Sequence, residues 1–175
     1  MMKWILIITA FCLLAIAPSF SQNVPRLQKY EVGGGAKAYL PAPPDSITRN
    51  LSEDGSVVYT CEVPWDGFIF SVIMVQFKDE VDVGSQEELL ISYLDYLKGQ
   101  FKVSESAGYG KGHVMDSHPP AKAVIDYWAG EDKTQYQLKG WIDSTTLAVM
   151  IIYGKKEYPI FNVAQLFLNG FRFPD

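Results

Sequence analysis

The chain has 175 residues, of which 48% are hydrophobic, and it carries 15 basic against 20 acidic side chains for a net charge of −5. This length suits one domain, and an aromatic content of 14% excludes a chain too polar to build a core. The acidic balance argues against a binder of nucleic-acid backbones, which needs a basic face.

Residues 1–21 are predicted to be a secretory signal peptide. Lys3 supplies a positive start, and residues 4–17 form an apolar run that is shorter than the roughly 20 residues of a membrane span. Ser19 and Ser21 then place small residues before a cut at Gln22. We therefore expect residues 22–175 to be a single mature domain, periplasmic or secreted, with no integral membrane span after cleavage.

The mature chain would keep one cysteine, Cys61, so no intrachain disulfide is expected. Cys61 lies in a run that alternates valine and tyrosine with more polar residues. This placement favours a buried, inert thiol over a nucleophile served by His113 or His118.

The first half of the mature chain is predicted to be β-structure. Two short runs, 28–32 and 36–40, flank three glycines and indicate a hairpin. Period-two alternation over 57–63 predicts a strand that Pro64-Trp65-Asp66-Gly67 ends, and 68–77 reads as a central strand.

Two helices are predicted in the second half. Ser85 opens a capping-box pattern before an apolar helical stripe that runs from Leu90 to Phe101. Near the end, Pro159 precedes a stripe that includes Ile160, and Gly170 is placed to end that helix.

Three strand-like runs lie between these helices, at 121–128, 134–142 and 145–153. The connectors between them are of turn size, so we predict an antiparallel meander. The fold class is therefore α+β, with an antiparallel sheet and two main helices packed against it.

This element order resembles the PsbP-like fold, and so does the C-terminal segment at 167–173, Phe-Leu-Asn-Gly-Phe-Arg-Phe. That family includes an extrinsic subunit of the oxygen-evolving photosystem and the Mog-type binders of the Ran GTPase. The resemblance covers roughly Tyr30 to Phe173 and lies in element order and apolar pattern. It implies an α+β sandwich used for binding and assembly; neither photosynthesis nor GTPase binding follows, and no functional residue is carried over.

His113, Asp116 and His118 form the candidate metal site, since imidazole and carboxylate suit first-row divalent ions. The alternative is a pair of solvent-facing histidines, because Pro119 follows at once and nothing in the sequence fixes the rings. The acidic run 79–82 lacks the spacing of an EF-hand and is explained more simply by the helix N-terminus that follows.

Trp65 and Tyr109 are the candidate binding residues. Trp65 lies in a turn-forming sequence, as an exposed anchor or as a plug over one end of the core. Tyr109 lies among glycines that lack the spacing of a phosphate loop and favour a hairpin. Trp128 and Trp141 end strand runs and are expected to be partly buried.

We thus expect an exported, non-enzymatic binding or accessory module with no cofactor, whose partner is another envelope or extracellular protein and not a nucleic acid. Two alternatives stay open. One is a metal-dependent or hydrolytic enzyme that uses His113, Asp116 and His118, although no nucleophile motif of the serine hydrolases occurs. The other is a carrier with a pocket for a small apolar ligand between sheet and helices.

Overall fold

The computed structural model describes residues 25–155, 159 and 161–174. Within these residues the elements, in chain order, are β1 (Gln28–Gly33), β2 (Ala36–Leu40), β3 (Thr48–Leu51), β4 (Val57–Trp65), β5 (Phe68–Gln76), α1 (Gln86–Gln100), β6 (Val103–Ser106), β7 (Gly110–Val114), β8 (Lys122–Gly130), β9 (Gln135–Ile142), β10 (Thr146–Gly154) and α2 (Phe161–Leu168). The predicted signal peptide, and Ile160 of the predicted last helix, lie outside the described residues.

The strands are antiparallel throughout and form two sheets. β1 and β2 make a separate hairpin, and the other eight strands form one sheet in the order β3-β4-β5-β10-β9-β8-β6. β7 shares the outer side of β8 with β6, because β6 pairs with residues 128–130 and β7 with residues 122–125. The predicted α+β class, with antiparallel strands and two helices, is confirmed.

The large sheet separates two apolar layers, which we call the α1 side and the α2 side. Side chains alternate along each strand, so β5 sends Phe70, Val72 and Met74 to the α2 side. Its Ile73 and Val75 point to the α1 side instead. Helix α1 covers β8 and β9 on its side, while α2 and the β1–β2 hairpin cover the other side. Both layers are built of buried residues.

The last described residues complete the α2 side. Phe171 and Phe173 are buried in the same cluster as Val32 of β1. The backbone of Arg172 exchanges two hydrogen bonds with that of Lys37, at 3.0 and 2.8 Å. The chain end is thereby fastened to the first hairpin.

Strand β4 corrects one sequence prediction, because it continues through Pro64 to Trp65. Pro64 lies opposite Ile69 of β5, whereas β3 pairs with β4 at residues 57–60. A proline is accepted here because the outer side of β4 is an open edge at this point, where no ladder hydrogen bond is lost. The turn itself is two residues, Asp66 and Gly67, both with positive φ.

Helix α1 confirms the predicted apolar stripe but not the predicted capping box. Leu90, Leu94 and Leu97 are buried, as the helical spacing indicated. Ser85 has φ −94° and ψ −9° and makes no side-chain capping bond. Its backbone is already helical, so the hydroxyl is not placed over the first amides.

The predicted meander of β8, β9 and β10 is confirmed within two residues at each end. Trp128 and Trp141 are each only 1% exposed, so the expectation of partial burial was wrong for both. Helices on both sides of the sheet cover them. Among the described residues, no helix combines the length and the apolar character that crossing a membrane demands.

Candidate functional site

An apolar groove lies where α1 leaves the sheet uncovered. Helix α1 packs mainly against β8, β9 and β6, and it leaves a groove beside its first half, over parts of β4, β5 and β10. The groove there has a volume of about 370 Å³. We call it the α1 groove; its lining residues are Ser52, Glu53, Asp54, Ser56, Val58, Val75, Phe77, Leu89, Tyr93 and Leu147.

The floor of the α1 groove follows directly from strand register. Val58 of β4 pairs with Val75 of β5, and Val75 pairs in turn with Leu147 of β10. Directly paired residues point to the same side of an antiparallel sheet. The three side chains therefore form a continuous apolar row across three strands.

One wall of the groove is the first half of α1. Leu89 is 37% exposed, and Tyr93 lies one helical turn further along. Burial, and next the neighbouring Tyr96, raises the pKa of Tyr93 to about 12. Tyr93 is therefore a neutral, largely apolar surface at physiological pH.

The opposite rim is the tight turn between β3 and β4. Ser52 Oγ donates to the carbonyl oxygen of Ser56 at 2.8 Å, and the Ser56 amide donates to Asp54 Oδ1 at 2.9 Å. Hydrogen bonds from Ser52 and Ser56 lower the pKa of the Asp54 carboxyl, which stays ionised at neutral pH. The groove thus has an apolar floor and an acidic rim, a combination that suits an apolar side chain next to a positive charge.

The structure places the two predicted binding residues in different settings. Trp65 is half-buried and packs against the core of the α2 side, as a plug would. Its Nε1 is buried and has no hydrogen-bond partner among the described residues. Tyr109 donates its hydroxyl to Asp95, and Lys98 Nζ lies 4.1 Å from the centre of its ring. Neither residue lines the α1 groove.

The three predicted metal ligands do not come together. His113 lies on β7 opposite Ala123, and Asp116 is exposed in the following turn. His118 Nε2 lies 2.9 Å from Asp143 Oδ2, and its ring stacks on Phe173 with 4.5 Å between ring centres. In the described part of the chain, no group of three or more His, Cys, Asp or Glu side chains is arranged to hold a metal ion.

Cys61 is buried and forms no disulfide. Burial, and next the charge of Glu62, raises the pKa of the Cys61 thiol to about 11. A thiol in this state is protonated at neutral pH and is a poor nucleophile.

Asp126 is a buried acidic residue that the sequence patterns did not single out. It is 0% exposed, under α1, and accepts hydrogen bonds from Ser106 Oγ and Trp128 Nε1, both at 2.7 Å. Lys98 Nζ lies 3.4 Å from the same carboxylate. Burial alone would lower the pKa of Lys98, but contacts with Tyr109, Asp126 and Asp95 raise it. The arrangement holds a fully buried carboxylate with its hydrogen bonds satisfied, paired with a lysine whose side chain is 21% exposed.

Lys139, on the α2 side, was missed as well. It is 6% exposed, and its Nζ donates to Asn169 Oδ1 at 2.7 Å and lies 4.3 Å from the centre of the Trp141 ring. No carboxylate of the described residues pairs with it, and burial lowers the pKa of its ammonium to about 8. Burial and then the charge of Lys139 lower the pKa of His113.

No protein-family model matches the chain, and no curated protein sequence matches it either.

Proposed function

We propose that the chain is an exported, non-enzymatic binding module that holds an apolar segment of another envelope or extracellular protein in the α1 groove. The observation that carries this proposal is the open groove with an apolar floor. An open groove of about 370 Å³ accepts one or two side chains of a partner.

The rim indicates the chemistry of the partner segment. Glu53 and Asp54 border the groove, and one lysine, Lys78, lays the carbon chain of its side chain against Gly55 of the same turn. The two carboxylates outweigh the one ammonium. A leucine or phenylalanine followed by a basic residue in the partner would complement both the floor and the rim.

Export is supported by the order of features in residues 1–21, namely Lys3, the short apolar run and the small residues before Gln22. The module would act in a periplasm or outside the cell. The intact mass of the protein purified from its native source tests this. A mass that begins at Gln22 is expected, and a mass that retains Lys3 would contradict cleavage.

A PsbP-like sandwich is the finer form of the fold that we propose. Its support is an antiparallel sheet enclosed between helices, with Phe171 and Phe173 of the closing segment buried in one layer. Superposition of an experimental structure on a member of that family tests it. A different strand order in the shared sheet would exclude the relationship.

Site-specific photo-cross-linking in the native envelope tests the binding function. A benzoyl-phenylalanine at Glu53, on the rim, should give one defined protein adduct. The matched control position is Val114, on β7, which is 68% exposed and far from the groove in the sheet. Leu89→Glu should remove the adduct from Glu53, because it places a charge in the wall of the groove.

Peptide mapping of the adduct should place the cross-link in an apolar segment that carries a basic residue. Equal adducts from Glu53 and Val114, or an adduct that survives Leu89→Glu, would overturn the proposal. A low-molecular-mass adduct in place of a protein would overturn it in favour of a carrier.

A further inference from the structure

A second groove lies on the opposite side of the molecule, between the outer surface of α2 and strand β2. Its volume is about 750 Å³, within the range of roughly 300–1,000 Å³ typical of small-molecule sites. We call it the α2 groove; it is lined by Tyr39, Asn162, Gln165, Leu166, Asn169, Gly170 and Arg172. Among its described lining residues, three amides, one arginine and one tyrosine supply the polar chemistry, and none is acidic.

Arg172 is held in place at this groove. Its Nη1 donates to the backbone oxygens of Asn169 at 3.1 Å and Phe171 at 2.6 Å. The guanidinium carbon lies 5.5 Å from the centre of the Tyr39 ring. Two carbonyls and one ring therefore fix the orientation of a planar donor group whose other N–H groups suit an oxyanion.

Charges on the hairpin make the surroundings of the groove positive. Lys37 lies two residues before Tyr39 on β2, and Lys29 of β1 pairs directly with Tyr39, so all three point to the same outer surface. Glu31, which pairs with Lys37, is the acid on this part of the hairpin. On this face of the hairpin, two lysines against one glutamate give a positive excess, in contrast to the net charge of −5 of the chain.

Asn169 links the groove to Lys139 behind it. Its side-chain oxygen accepts from Lys139 Nζ, and its backbone oxygen accepts from Arg172. Neither cation forms a salt bridge with a carboxylate of the described residues. Of the two, Lys139 is the buried one, at 6% exposed. A charge withdrawn from water in this way without a counter-charge is costly, and an anion bound nearby would lower that cost.

We propose that the α2 groove binds a small molecule that carries a carboxylate or phosphate group on a hydroxyl-bearing body. Arg172 takes the oxyanion, and the amide of Asn162 offers a donor and an acceptor to the hydroxyls. Gln165 offers its Nε2 donors, since its Oε1 already accepts from Asn169 Nδ2 at 3.1 Å. Lys29, Lys37 and Lys139 add long-range attraction. This site is separate from the α1 groove and does not depend on its function.

Calorimetric titration of the mature chain with glucuronate, glucose 6-phosphate and neutral glucose tests the proposal. At least one of the two anionic sugars should bind about tenfold more tightly than glucose, the effect of about one charge-assisted hydrogen bond. Whichever of the two binds shows whether the carboxylate or the phosphate is recognised.

Arg172→Gln should remove the preference for the anionic sugar. Arg172→Lys keeps the charge but not the planar guanidinium, and it should lose part of the preference for the anionic sugar. The matched control, Arg49→Gln on β3, makes the same charge change at the far edge of the sheet and should keep the preference. Near-ultraviolet circular dichroism of each variant verifies that the packing of the C-terminal segment is intact.

Binding of neither anionic sugar more tightly than glucose would overturn the proposal. So would an equal loss in Arg172→Gln and Arg49→Gln, because the effect would then reflect net charge and not a site. Full retention of the preference in a folded Arg172→Gln variant would also overturn it.

Discussion

Each side of the large sheet carries one lysine next to a buried tryptophan, and the two lysines differ in what neutralises them. On the α1 side, Lys98 Nζ lies 5.9 Å from the centre of the Trp128 ring and 3.4 Å from the carboxylate of Asp126. On the α2 side, Lys139 Nζ lies 4.3 Å from the centre of the Trp141 ring and donates to a neutral amide, Asn169.

This difference separates two ways of holding a lysine next to a buried tryptophan. The α1 side neutralises Lys98 with a carboxylate of the fold itself, so this lysine needs no counter-charge from outside. The α2 side holds its positive charge without an acid of the described residues, so its groove is prepared for an anion from outside. We therefore assign Lys98 a role in stability, since its carboxylate partner belongs to the fold. We assign Lys139 a role in attracting an anion, since no described carboxylate pairs with it.

Removal of Asp126 should cause the largest loss of stability among the substitutions considered. Asp126→Ala leaves Lys98 and the Trp128 N–H without their buried partner, and should lower the free energy of unfolding by about 3–5 kcal/mol. Urea denaturation of the two proteins measures this difference in the free energy of unfolding. Asp95→Ala is the control, since Asp95 binds the same lysine at the surface and should cost less than about 1 kcal/mol. Equal losses would contradict the contrast between the two carboxylates.

Replacement of Lys139 should have a smaller effect, and one that depends on pH. The pKa of this lysine is about 8 in the folded chain and has its ordinary value in the unfolded chain. At a pH between the folded and the unfolded pKa, the unfolded chain binds more protons than the folded chain, so the free energy of unfolding of the wild-type protein rises with pH. Lys139→Met lacks this rise. Compared with it, the wild-type protein should gain about 2 kcal/mol between about pH 7.5 and 9.5.

Urea denaturation at several pH values checks this profile. Lys111→Met, a change of an exposed lysine on β7, should leave the wild-type pH slope unchanged. A Lys139→Met variant with the same slope as the wild type would show that the lysine is not desolvated.

The closeness of α1 to the sheet can be tested with two glycines. A Cβ added at Gly140 of β9 would lie 2.6 Å from Leu90 Cδ1, so Gly140→Ala should cost about 1–2 kcal/mol through overpacking. A Cβ added at Gly99 meets nothing within 4 Å, and Gly99→Ala should stabilise the helix by about 0.5–1 kcal/mol. Thermal unfolding compares them, and effects of the same sign would contradict the packing described for α1.

The smallest effect is expected at the N-terminus of α1. Because the Ser85 hydroxyl makes no capping bond, Ser85→Ala should change the free energy of unfolding by less than about 0.5 kcal/mol. A formed cap would cost about 1 kcal/mol instead. The same urea experiment distinguishes the two values. A loss of about 1 kcal/mol would show that Ser85 does cap the helix, contrary to the structure.

The regular parts of the fold could be predicted because their periodicity is strong. The meander of β8 to β10 and the leucine stripe of α1 follow from local apolar spacing. Strand β3 could not be predicted in this way, since all four of its residues are exposed and show no alternation. It is a strand because β4 lies beside it, which is a tertiary effect.

The candidate sites were harder to predict than the fold. In β9, Lys139 belongs to the row of Gln137, which by alternation reads as a solvent-facing surface. Asn169, thirty residues later in the chain, contacts Lys139 Nζ. The residues next to Lys139 in sequence do not indicate this contact. Asp126 does leave a signal, since it interrupts the apolar row of Val124 and Trp128 in β8. The α1 groove depends on where α1 stops on the sheet, which only packing decides.

The bond between Lys37 and Arg172 also has a consequence for the order of folding. It joins residues 135 positions apart, and Phe171 and Phe173 complete a layer that begins with Val32. During synthesis, that layer stays incomplete until residues 171–173 have emerged, because they are made after the rest of it. Contacts between residues so far apart in sequence form slowly, so this layer should be the last part of the described fold to close.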